Sequence, residues 1–94
     1  MKKVLVADDT KNIRNLLTTC LKHEGFEVTS VENGEKALEI FENQIFDLAF
    51  LDIKMPKISG TEVLRKIREQ GVQTPVVIIT AFPTIKNAIE CTQM

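Results

Sequence analysis

Val4-Leu5-Val6-Ala7-Asp8-Asp9, near the start of the chain, and Leu48-Ala49-Phe50-Leu51-Asp52, at its middle, follow one plan: an apolar run, then acid. Each run is short, almost continuously apolar and bounded by polar turn residues, which is how a β-strand covered on both faces reads. Open α/β sheets place their chemistry at the ends of such strands. A parallel sheet would therefore bring Asp8, Asp9 and Asp52 together. Carboxylates held close repel one another unless a proton or a cation relieves them, so the pattern points to a hard divalent metal and a magnesium-binding acidic cluster.

The segments between and around these runs supply the rest of the architecture. Ile13, Leu16, Leu17, Cys20 and Leu21 recur at helical spacing and Gly25 offers a left-handed stop, so a helix is expected from Lys11 to Glu24. A short strand follows over Phe26 to Val31, and Asn33-Gly34 turns into a helix whose apolar side is Ala37, Leu38 and Phe41. The third strand is expected over Asp47 to Leu51. Lys54 to Gly60 reads as a loop, and Ser59 with Glu62 as a capping box for a helix carrying Val63, Leu64 and Ile67, ended by Gly71. Val76 to Ile79 is the fourth strand, and Pro83 suits the first turn of a last helix bearing Ile85, Ala88 and Ile89. Four successive strand-helix alternations imply one parallel sheet with right-handed crossovers and helices on both faces.

Composition sets the outer bounds. The 94 residues make one domain, 1–94, and a chain of this length buries about 60 to 65% of its unfolded surface. A net charge of −1 gives no general attraction to nucleic acid or membrane. No run approaches the ~20 apolar residues of a membrane span, and Met1-Lys2-Lys3 leads straight into a strand, so the cytoplasm is the expected location. Cys20 and Cys91 lack metal or redox spacing and read as two small buried thiols in a reducing compartment.

Three motifs carry a family resemblance that covers the whole chain: Asp-Asp-Thr-Lys-Asn-Ile-Arg from Asp8 to Arg14, Asp-Ile-Lys-Met-Pro-Lys-Ile-Ser-Gly from Asp52 to Gly60, and Ile-Ile-Thr-Ala from Ile78 to Ala81. In order, spacing and position at strand ends the chain resembles the receiver domain of bacterial two-component response regulators. The resemblance implies a flavodoxin-like α/β fold, and a signalling module rather than a turnover enzyme. It implies that Asp52 accepts a phosphoryl group from a phosphohistidine on a sensor histidine kinase. Asp9 and Asp52 would ligate Mg²⁺ directly, Asp8 through water and Lys54 through its backbone carbonyl. Thr80 would donate its hydroxyl to the phosphoryl group and bias the following segment between two conformations. DNA would be reached only indirectly, through an output domain, and kinase specificity is expected on the first helix and nearby loops.

Plainer readings stand beside these. An Asp-Asp pair before a helix is commonly an N-cap pair, and Thr80 suits the end of a strand on β-propensity alone. Arg14 reads as solvated or locally paired, His23 as a cation favoured by the last turn of a helix, and Met55-Pro56 as a loop brace. Receiver domains continue through a fifth strand and helix, with a lysine and an aromatic residue that this stretch lacks, so the fold is expected to be truncated after the fourth β-α unit. Val76 to Ile79 would then be an exposed edge, favouring self-association or a domain swap. Two rival functions follow: a phosphorylation-incompetent receiver fragment acting as a structural or dimerising module, and a magnesium-dependent phosphohydrolase. The phosphohydrolase reading wants an acid where Lys54 stands.

Overall fold

The computed structural model describes residues 2–79. The expected last helix, Thr80 and Cys91 lie outside the described residues. Within them the chain runs β1 (Lys3–Ala7), α1 (Lys11–His23), β2 (Glu27–Val31), α2 (Gly34–Asn43), β3 (Leu48–Asp52), α3 (Gly60–Glu69) and β4 (Val76–Ile79). The strands form one sheet in the order β2-β1-β3-β4, every pair parallel. This is the flavodoxin-like order that the resemblance implies, with β1 and β3 as the two inner strands, each paired on both sides.

Local sequence explains where the helices begin and end. Asn33 caps α2 by accepting the Lys36 N–H at 2.8 Å, and Ser59 caps α3 by accepting the Glu62 N–H at 3.3 Å. Only half of the expected capping box forms, because the Glu62 carboxylate turns to Arg65 instead. At their far ends α1 and α3 close in the same way. Gly25 (φ 93°) and Gly71 (φ 85°) take the left-handed conformation, and the amides of Phe26 and Val72 reach back to the carbonyls of Leu21 and Ile67.

Alternation along the strands divides the sheet into two faces. Leu5, Ala7, Ala49, Leu51 and Ile78 point to one side and form the main core with Ala37 and Phe41 of α2 and Val63 and Ile67 of α3. Phe41 also meets Phe46 edge-on, ring centroids 5.7 Å apart, and the Thr74 hydroxyl donates to the Phe46 carbonyl, closing the end of the sheet remote from the acids. The other face is packed by α1 against β1 and β2, with Val4 and Val6 completely buried. Cover is thinner here: α1 has no buried residue, Leu16 is 63% exposed, and Phe50, Val77 and Ile79 are only half-buried.

Three details depart from expectation. Strand β3 starts and ends one residue later than expected: Asp47 stands just before the ladder, its N–H on the Lys3 carbonyl and its carboxylate accepting the Lys3 N–H, both at 2.8 Å, while Asp52 pairs with Ile79. Cys20 is exposed, not buried, since the side of α1 that carries it is uncovered among the described residues. The Asp8-Asp9 pair does not cap α1: Thr10 is the N-cap and makes no side-chain capping bond, while Asp8 turns inward.

Candidate metal and phosphoacceptor site

Register brings the acids together. Ala7 pairs with Leu51 across β1 and β3, so Asp8 leaves β1 at the level where Asp52 ends β3. One carboxylate oxygen from each of Asp8, Asp9 and Asp52 lies within 4.8 Å of the other two. Asp8 and Asp52 are buried, at 3% and 1% exposure, and Asp9 is exposed at the mouth.

Backbone amides orient the two buried acids. Asp8 Oδ1 accepts the Thr10 N–H at 2.8 Å, the Asp8 N–H donates to the Val31 carbonyl at 3.1 Å, and the Asp8 carbonyl accepts from Arg14 Nη1 at 2.8 Å. Asp52 Oδ1 accepts the Lys54 N–H at 3.2 Å, whereas Asp52 Oδ2 is fully buried with no hydrogen-bond partner. A buried carboxylate oxygen left without a donor is costly, and charge makes it more so.

The electrostatics agree. Burial first, then the neighbouring charge of Asp8 and the proximity of Asp9, push the Asp52 carboxyl up to about 7. Burial also raises Asp8, with the charge of Asp9 adding to it against the Thr10 hydrogen bond. A hard cation placed between the three groups would remove both the repulsion and the orphaned oxygen. The donor set, all carboxylate oxygens and one side open, suits Mg²⁺ with water completing its shell.

The loop after Asp52 is held close to it. The Gly60 N–H donates to the Ile53 carbonyl at 3.1 Å, and a Cβ on Gly60 would overlap the Asp52 carbonyl. Likewise a Cβ on Gly34 would overlap the Ile58 carbonyl, so α2 and α3 both pack directly on the segment that follows the acid. Between them Lys57 takes φ 71° and the Ile58 N–H bonds to the Pro56 carbonyl at 2.8 Å, a tight turn that a residue with a side chain seldom adopts. The Lys57 ammonium lies 3.7 Å from the Glu35 carboxylate. The brace expected at Met55-Pro56 is thus a longer device running to Gly60.

Of the residues singled out from sequence, Asp8, Asp9 and Asp52 converge, and Lys54 is joined to them by its N–H on Asp52 Oδ1. Thr80 lies outside the described residues, next after Ile79, which pairs with Asp52. Arg14 is locally paired, as read, but its partner is the backbone of the acidic turn. A cleft of about 510 Å³, lined by Phe41, Phe46, Val72 and Pro75, is at the opposite end of the sheet, and among the described residues no second cluster of acids, histidines or cysteines is found there.

Fold and site together define a class: a parallel α/β domain with a compact carboxylate cluster at the tips of its two inner strands. The chain belongs to the response regulator receiver domain family, whose family model matches residues 4–94. Among curated relatives it is 33% identical to the regulatory protein AtoC of Escherichia coli over 96% of this chain and 20% of AtoC. It is 42% identical to the transcriptional regulatory protein CpxR of E. coli, over 86% of this chain and 34% of CpxR. The chain thus spans a fifth to a third of the length of these relatives. Among solved structures, the response regulator TrrA of Thermotoga maritima in complex with Mg²⁺-BeF is 42% identical, with a TM-score of 0.77 over 97% of this chain and 81% of TrrA. The complex of TrrA with the histidine kinase ThkA gives 44% identity and a TM-score of 0.81, over 92% of this chain and 74% of the matched one. The receiver family comprises signalling domains that bind Mg²⁺ at an acidic site, and no described helix is long and apolar enough to cross a membrane.

Proposed function

We propose that this chain is a phosphoacceptor module that takes a phosphoryl group onto Asp52 from a phosphohistidine of a sensor histidine kinase. One observation carries the reading: Asp52 Oδ2 is buried, lacks a hydrogen-bond partner and belongs to a cluster whose other members are also acids. An unsatisfied carboxylate oxygen at a strand tip is a poor structural element and a good nucleophile. The relatives support the donor, since TrrA is described in complex with a histidine kinase.

Asp9 and Asp52 would hold Mg²⁺ directly, Asp8 through water and Lys54 through its backbone carbonyl. Bound there, Mg²⁺ would offset the charge of the three acids and of the incoming phosphoryl oxygens. Asp52 Oδ2 then attacks phosphorus as the bond to the donor imidazole breaks, and the imidazole nitrogen recovers a proton. The Lys54 N–H, already on Oδ1, keeps the carboxylate oriented through the transfer. Thr80 would donate its hydroxyl to the new phosphoryl group, a contact that would bias the chain after it toward one of two states. We infer that the output is control of transcription, as the name of CpxR says of that relative, with DNA reached through an output domain and not through this one.

Intact mass after incubation with a phosphoramidate donor tests the proposal. A gain of one phosphoryl group that requires Mg²⁺ and is lost in Asp52→Asn is expected. No gain in a folded sample would favour a phosphorylation-incompetent receiver acting as a structural or dimerising module.

A further inference from the structure

The Arg14 side chain bonds to the acidic turn, and what it touches is backbone. Its Nη1 donates to the Asp8 carbonyl at 2.8 Å. That carbonyl belongs to the rigid Asp8-Asp9 peptide plane, so fixing its direction also fixes the position of the Asp9 Cα from which the side chain departs. The Asp8 side of the plane is already anchored by the Val31 carbonyl and the Thr10 amide. Among the described residues no backbone hydrogen bond to Asp9 is formed, and the Arg14 contact is the side-chain bond that acts on the plane itself. Arg14 is itself well anchored: half-buried, in the first turn of α1, its N–H on the Thr10 carbonyl at 2.9 Å.

We propose that Arg14 is a positioning residue for the acidic cluster, holding the Asp8-Asp9 peptide plane so that the Asp9 carboxylate is aimed at Asp52. The proposal rests on the reading of this cluster as a Mg²⁺ site. It is not a charge effect. A cation beside three carboxylates competes with a metal, so charge alone predicts that removing Arg14 tightens Mg²⁺ binding, whereas positioning predicts that it weakens it. The two roles differ in sign.

Titration calorimetry with Mg²⁺ on the unaltered chain, Arg14→Met and Arg14→Lys, each shown to be folded by circular dichroism, separates them. Arg14→Met keeps the packing of the stem and loses the donor; a rise of about tenfold in Kd is expected, the usual effect of losing a group that orients a metal ligand. Arg14→Lys keeps the charge but not the guanidinium's reach, so a smaller rise is expected. It carries the test should the Met variant not fold. Unchanged or tighter binding in either folded variant overturns the proposal. Hydrogen exchange on the metal-free proteins gives a second readout: the Thr10 amide, bonded to Asp8, should exchange several-fold faster in the variants while β3 amides do not. If the unaltered chain binds no Mg²⁺, the metal reading fails, and the exchange result alone decides whether Arg14 holds the turn.

Discussion

Asp52 sets the terms at the scale of single residues. A carboxyl raised to about 7 holds a proton in the folded state that it would release on unfolding above about pH 4. The folded state therefore binds more protons than the unfolded one between those values, and metal-free stability falls as pH rises from about 4 through 7. Urea unfolding without metal should show a protein less stable at pH 8 than at pH 5 by roughly 2 to 4 kcal/mol. Saturating Mg²⁺ should close that gap, because the ion binds the ionised cluster. Asp52→Asn should flatten the pH dependence and stabilise the metal-free protein at pH 8; a metal-free profile that rises with pH would refute this account. Asp8, raised for the same reason, should contribute in the same direction.

Among the elements, glycines with different duties separate the scaffold from the site. Gly71 has φ 85° and nothing within 4 Å of a would-be Cβ, so Gly71→Ala carries only conformational strain, about 1 kcal/mol. Gly60 is pressed against the Asp52 carbonyl, so Gly60→Ala must move α3 or the end of β3, at a cost of roughly 1 to 3 kcal/mol. Both variants should unfold at lower urea, and only Gly60→Ala should lose Mg²⁺ affinity. Equal affinity in the two would mean that close packing at Gly60 serves the core alone. How far these elements could be read in advance follows from the physics that forms them. Continuous apolar runs fixed β1, β3 and β4 to within a residue, and the helix stops at Gly25 and Gly71 are chain-local events that a sequence displays openly. The acidic cluster was legible because register follows from burial. Contacts between elements were not: that Arg14 would reach a backbone carbonyl, that α1 would leave Cys20 in solvent, and that Glu62 would prefer Arg65 to its own cap depend on side-chain directions that no periodicity encodes.

At the largest scale, the two sheet faces are unequally covered among the described residues. One side is a closed core between the sheet, α2 and α3; on the other Leu16 is largely exposed and Phe50, Val77 and Ile79 are half-covered. β4 also stands at the edge of the sheet among the described residues, and apolar edges recruit partners. We infer that this chain self-associates through β4 or this face, by simple pairing or by exchange of an element. Sedimentation of the chain should show concentration-dependent association, and Leu16→Glu should shift it toward monomer with little effect on unfolding; a monomer at every concentration, unfolding cooperatively, would rule it out.

The central place of β1 also bears on how the protein comes into being on the ribosome. Of the four strands β1 is made before the others, yet one of its neighbours, β3, is made only after α2, and the closed core needs α3 as well. A nascent chain that ends before α2 could form no more of this sheet than β1, α1 and β2, a layer in which α1 buries no residue completely. Asp8 and Asp9 therefore emerge long before Asp52, and the cluster cannot assemble until β3 has docked. A metal held by these acids would therefore join the fold only after β1 and β3 have paired, and would act more on the rate of unfolding than on the first steps of folding.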